Sequence, residues 1–94
     1  MDQLTSVDDF NEIKHFNIFP NPSNGKINLE MDFDQNLNIT IQLINIIGQE
    51  IITKELQNIN SIRQSFDWQE LPKGMYWLAV SSNDKKLVEK ILIE

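Results

Sequence analysis

Apolar and polar residues alternate with a period of two through most of this chain. Ile27, Leu29, Met31 and Phe33 alternate with Asn28, Glu30 and Asp32, and Leu37, Ile39, Ile41 and Leu43 alternate with Asn38, Thr40 and Gln42. Successive side chains of a strand point to opposite faces, so this spacing predicts strands with one face buried and one in water. Shorter runs at His15 to Phe19, Glu50 to Leu56, Ser61 to Trp68, Met75 to Ser81 and Lys86 to Ile93 bring the expectation to about seven strands. No segment carries a helical period.

Turn chemistry separates the runs. Phe19-Pro20-Asn21-Pro22-Ser23-Asn24-Gly25 and Leu71-Pro72-Lys73-Gly74-Met75-Tyr76 each place proline and glycine where the backbone must turn, and an apolar run follows each. Asn45 and Gly48 fit positions i and i+3 of a type I turn, Asp32 to Asn38 reads as a polar hairpin turn, and Ser82-Asn83-Asp84 closes the last hairpin. Short antiparallel strands with a turn about every ten residues and no helix predict an all-β, immunoglobulin-like antiparallel β-sandwich. Tyr76, just after Gly74, fits a tyrosine corner, in which the phenol caps a main-chain carbonyl.

The chain of 94 residues makes one domain and needs most of its apolar side chains in a single core. It has no cysteine, so neither disulfides nor thiolate ligands contribute. Asp2 to Glu12 is polar and acidic, which sets an expected boundary: residues 1–14 a flexible linker to an upstream protein, residues 15–94 the sandwich. The formal charge of −6 argues against nucleic acid as a partner. Lys85-Lys86 is the only basic pair and reads as a solvated turn. No apolar run is long enough for a membrane helix, and Met1 does not open a signal peptide.

Candidate chemistry is sparse. His15 has no cysteine, aspartate or glutamate at metal-ligand spacing, and Asp32 to Asn38 resembles a calcium loop only superficially, with Leu37 where glycine is needed and Leu43 where a bidentate glutamate is needed. No serine sits in a nucleophile elbow, so no catalytic, metal or cofactor site is expected, nor a small-molecule substrate. Trp68, Tyr76 and Trp77 divide between a core role and a sugar platform, the latter keeping open an adhesion or carbohydrate-binding accessory module of a secreted protein.

Taken in order, the motifs resemble the type A C-terminal sorting domain of the type IX secretion system of Gram-negative bacteria, from about Asn17 to Glu94. The residues that carry the resemblance are Pro20, Asn21, Pro22 and Gly25; Gly48 in the middle turn; Leu71, Pro72, Gly74 and Tyr76; and Lys90 in the closing apolar strand. Ile93 stands where the family often has a basic residue and Glu94 is acidic, which argues against terminal positive charge as the recognised feature. The resemblance implies an address for a fused N-terminal cargo protein. The cargo is in the periplasm in transit, passes the outer-membrane translocon, and ends at the cell surface or outside the cell, where a sortase-like peptidase removes the domain. The cut is expected within Asp2 to Lys14, the domain is expected to be a monomer, and recognition is expected to use the exposed backbone of the last strand. Most motif residues are expected to be scaffold.

Overall fold

The computed structural model describes residues 5–8 and 10–94, with side chains from Phe10 onward. Six antiparallel strands are formed among them: β1 (Thr5–Asp8), β2 (Ile13–Phe19), β3 (Lys26–Asn45), β4 (Glu50–Asp67), β5 (Gly74–Ser82) and β6 (Lys85–Ile93). They join in one sheet of order β1-β6-β5-β3-β2, with β4 also paired to β3. The all-β, antiparallel class is as expected, but the strands do not divide into the seven of an immunoglobulin-like arrangement.

The difference lies in β3 and β4. Both predicted strand pairs, 27–33 with 37–43 and 50–56 with 61–68, are continuous strands of 20 and 18 residues. Straight, β3 would reach about 66 Å at the usual rise of about 3.3 Å per residue. The longest dimension of the molecule is 35 Å, so β3 bends back on itself. Asp32 to Asn38 is therefore a bend within a strand and not a hairpin turn: the β3–β4 register breaks between Asp32 and Leu37 and resumes beyond it. Asparagines hold the corner. Asn58 takes a left-handed φ of 54°, its N–H donates to Asn38 Oδ1 at 2.8 Å, and Asn36 donates to its side-chain oxygen at 3.2 Å.

The bend produces two layers. Residues 28–33 of β3 lie between β2 and the second half of β4; residues 40–44 lie between β5 and the first half of β4. Ile27, Leu29, Met31 and Phe33 from one half and Ile39, Ile41 and Leu43 from the other are all buried in one core with Leu78, Val80, Leu87, Ile91 and Ile93. At roughly 1.5–3 kcal/mol for each fully buried large apolar side chain, this shared core is the main source of stability.

The expected linker differs as well. Thr5–Asp8 pairs with Lys86 to Glu89 as β1, and Phe10 is buried, stacked on Phe33 with ring centroids 5.8 Å apart. Glu12 accepts a hydrogen bond from Asp34 N–H through its carbonyl and forms an ion pair with Lys85. One large aromatic in an acidic run joins the core, and main-chain pairing and the ion pair hold the rest. Residues 1–4 and 9, also assigned to the linker, lie outside the described residues.

Candidate functional site

Asn21 sits beside the last strand. Phe19-Pro20 and Asn21-Pro22 are both cis peptides, and the Asn21 side chain faces the outer edge of β6. Its Nδ2 donates to the Lys90 carbonyl at 2.8 Å, and its Oδ1 accepts from Leu92 N–H at 3.1 Å. Ser23 continues the pairing with its main chain: its N–H donates to the Leu92 carbonyl at 3.0 Å, and its carbonyl accepts from Glu94 N–H at 2.8 Å. One amide side chain and the main chain of one residue thus satisfy four edge groups that a strand would otherwise satisfy. Pro20 and Pro22 carry no N–H, so the covering segment offers no donors at those positions for a further strand.

The expectation that the last strand is open to augmentation is corrected by this geometry. β1 covers residues 86–89 of β6, and Asn21 and Ser23 cover the remainder. Lys90 enters the arrangement through its carbonyl.

Gly25 locks the same segment to the core. Its N–H donates to the buried Ser23 Oγ at 3.1 Å, and its carbonyl accepts from Trp68 N–H at 2.8 Å. Its φ is +111°, and a Cβ built there would stand 2.7 Å from Gln69 Cα, so only glycine fits. Trp68 is buried and stacks on Phe66 at 4.6 Å between centroids.

The other two motifs meet at one cleft of about 590 Å³, lined on one side by residues of the Asn45–Gly48 turn and on the other by Leu71, Pro72 and Gly74 to Tyr76. Gly48 N–H donates to the Asn45 carbonyl at 3.0 Å, as the i to i+3 turn requires, and Asn45 Oδ1 also accepts from Ile47 and Gln49 N–H. The buried Tyr76 hydroxyl donates to the Pro72 carbonyl, which is the tyrosine corner expected from the sequence. Leu71 packs against the core, and its N–H donates to the Trp68 carbonyl at 3.0 Å.

The aromatic residues do not form a sugar platform. Trp68 and Tyr76 are core residues, while Trp77 points out of the opposite face of β5 from Tyr76. His15 lies 3.9 Å from Glu30, both well exposed, and Asp32 is engaged by Arg63 at 3.2 Å. Among the described residues no three His, Asp or Glu side chains cluster as a metal site would require.

The sequence reading missed the Glu12–Lys85 pair, because partners 73 residues apart leave no local signal. The hydrogen bond from Lys85 holds the Glu12 carboxyl below the usual carboxylate range, and the same bond raises the Lys85 ammonium.

Comparison with curated proteins finds no match. The model of one protein family, the secretion system C-terminal sorting domain, matches residues 17–94, which takes in Asn21 and Ser23, the Asn45–Gly48 turn, the tyrosine corner and the strand they enclose. The chain therefore belongs to the secretion system C-terminal sorting domains, the sorting signals of type IX secretion.

Proposed function

We propose that this domain is the folded address of a cargo protein joined to its N-terminus, engaged as a monomer by the outer-membrane translocon after transit through the periplasm, and then removed at the cell surface by a sortase-like peptidase. Type IX sorting signals send their cargo to the cell surface or the extracellular space, and the family is one of signals and not of enzymes. In this reading the domain is the peptidase's substrate. The observation that carries it is the family match across residues 17–94.

Pro20, Asn21, Pro22, Gly25, Gly48, Leu71, Pro72, Gly74 and Tyr76 are read as scaffold, since each is engaged in a turn, a cover or a core contact within the domain. Recognition then falls to surface side chains of the folded unit. A peptidase needs extended, unpaired backbone; Thr5–Asp8 is paired with β6, and Phe10, Glu12 and Ile13 are packed, so the cut belongs upstream of Thr5, narrower than the 2–14 window expected from composition. Intact-mass measurement of the released domain checks this: a new N-terminus beyond Thr5 rejects it.

The test of the sorting role is a periplasmic fluorescent reporter carrying residues 1–94 at its C-terminus, in hosts with and without the type IX translocon. The expected result is reporter in the medium or on the surface only when the translocon is present. A folded fusion retained in the periplasm of both hosts overturns the reading. Truncating β6 is a poor control, because Leu87, Ile91 and Ile93 are core residues and their loss unfolds the domain.

A further inference from the structure

Asn24 is the only asparagine of the chain that precedes a glycine; isoleucine, leucine, proline or a polar residue follows each of the others. In an open chain such a pair is chemically unstable. The main-chain nitrogen of the second residue attacks the side-chain amide carbon of the first, and glycine, with no Cβ, hinders that attack least. Asn24 is exposed, so water reaches its side chain, while Ser23 and Gly25 on either side are buried.

Hydrogen bonds fix both reacting groups. Asn24 Oδ1 accepts from Lys26 N–H at 3.1 Å, which polarises the amide carbon and by itself favours attack. The nucleophile is what the fold withholds. Gly25 N–H donates to the buried Ser23 Oγ at 3.1 Å, and the Gly25 carbonyl accepts from Trp68 N–H at 2.8 Å. Ser23 is itself held through its N–H by the Leu92 carbonyl and through its carbonyl by Glu94 N–H. Closing a ring between Gly25 N and Asn24 Cγ turns the Asn24–Gly25 peptide, so the Gly25 N–H must first leave Ser23. The Gly25 backbone cannot shift to allow this in place, since it packs so closely on Gln69 that even a Cβ would stand 2.7 Å from Gln69 Cα.

We propose that Asn24 is a site of spontaneous deamidation that the native fold keeps unreacted, and that opening of segment 20–25 releases the reaction. In the opened chain a base removes the Gly25 amide proton, the Gly25 nitrogen bonds to Asn24 Cγ, and the side-chain nitrogen leaves as ammonia, which gives a cyclic imide. Water then cleaves one of the two carbonyl bonds to the ring nitrogen. Cleavage at Cγ leaves aspartate, whereas cleavage at the main-chain carbonyl carbon leaves isoaspartate, with the chain running through Cβ and Cγ. One amide and one water become one carboxylic acid and one ammonia, with no oxidant or cofactor.

The two products differ in what they do to the fold. Aspartate keeps an oxygen for Lys26 N–H and a main chain of normal length. Isoaspartate inserts an extra carbon between Ser23, which must meet Leu92 and Glu94, and Gly25, which must meet Trp68. The cover over the end of β6 then loses its register, so a molecule that reacts while open does not close again as before. The inference depends on the fold alone.

The test follows the 94-residue chain in mildly alkaline buffer, folded and in guanidinium chloride, by peptide mass spectrometry with isoaspartate assigned by fragmentation. If only opened molecules react, the folded rate is the unfolded rate multiplied by the open fraction, and Asn24 is expected to react at least about a hundredfold more slowly when folded. Ser23→Ala frees the Gly25 N–H but keeps the main-chain pairing, and is expected to raise the folded rate several-fold. Gly48→Ala, which acts away from the segment, is expected to leave it unchanged. Equal rates in the folded and unfolded chain, or another asparagine reacting first in denaturant, overturn the inference. Equal acceleration by the two variants overturns the local opening. Should Ser23→Ala fail to fold, the folded and unfolded wild type decide alone. On removal of denaturant the isoaspartyl fraction is expected to melt lower than wild type, while Asn24→Asp melts with it. Isoaspartyl chains that melt with wild type overturn the loss of closure.

Discussion

Asn21 performs with one side chain what a neighbouring strand performs with its backbone, and the consequence is measurable. Asn21→Ala leaves the Lys90 carbonyl and Leu92 N–H without protein partners and is expected to lower stability by about 1–3 kcal/mol in urea unfolding, with faster hydrogen exchange at Leu92. Asn21→Asp keeps the acceptor for Leu92 but sets a carboxylate oxygen against the Lys90 carbonyl in place of the donor, so it is expected to destabilise as well. The glycines separate by what surrounds them. Gly25→Ala meets both a positive φ and the Gln69 backbone, and is expected to cost several kcal/mol, more than the order of 1–3 kcal/mol for backbone conformation alone. Gly48→Ala has open space around it and is expected to cost about 1 kcal/mol by the same unfolding assay. That these residues turn the chain was legible from sequence, because turn preferences are local. What Asn21 holds was not, because its partners lie 69 and 71 residues away.

At the scale of elements, alternation located nearly every strand and the face each one buries. The odd-numbered residues from Ile27 to Phe33 and from Ile39 to Leu43 are buried as the pattern requires. Alternation does not report continuity, and a polar interruption looks the same whether the chain reverses or bends. Asp32 to Asn38 was read as a turn for that reason, whereas the distinguishing feature is Asn58 on the partner strand, whose left-handed backbone lets β4 follow β3 around the corner. A β-branched residue resists that conformation. Asn58→Val is expected to destabilise by about 1–3 kcal/mol, while Asn60→Val, at an exposed position with no positive φ, changes the midpoint little. Equal effects of the two substitutions reject this account of the corner.

At the scale of the whole molecule, Glu12 and Lys85 tie the segment before β2 to the β5–β6 turn. The folded-state pKa of Glu12 is lowered, so its contribution is complete above the ordinary value of 4.5 and is lost as pH falls through the folded value. The pKa of Lys85 is raised, so its contribution is complete below 10.5 and is lost as pH rises through the folded value. Unfolding measured across pH is expected to show a plateau between these limits with a loss at each end, and Glu12→Gln removes this pair's share of both. A Glu12→Gln curve parallel to wild type at every pH rejects the assignment. Composition had marked residues 1–14 as a linker because acidic runs are usually solvated. Neither Phe10's place on Phe33 nor Glu12's on Lys85 could be read from the run itself, since both depend on the finished fold.

Because β6 lies inside the sheet, between β5 on one side and β1, Asn21 and Ser23 on the other, every element it joins precedes it along the chain. A polypeptide emerging N-terminus first from a ribosome thus carries five unfinished strands until β6 is free. Its fold completes late, when β6 pairs with β5 and, across most of the chain, with β1.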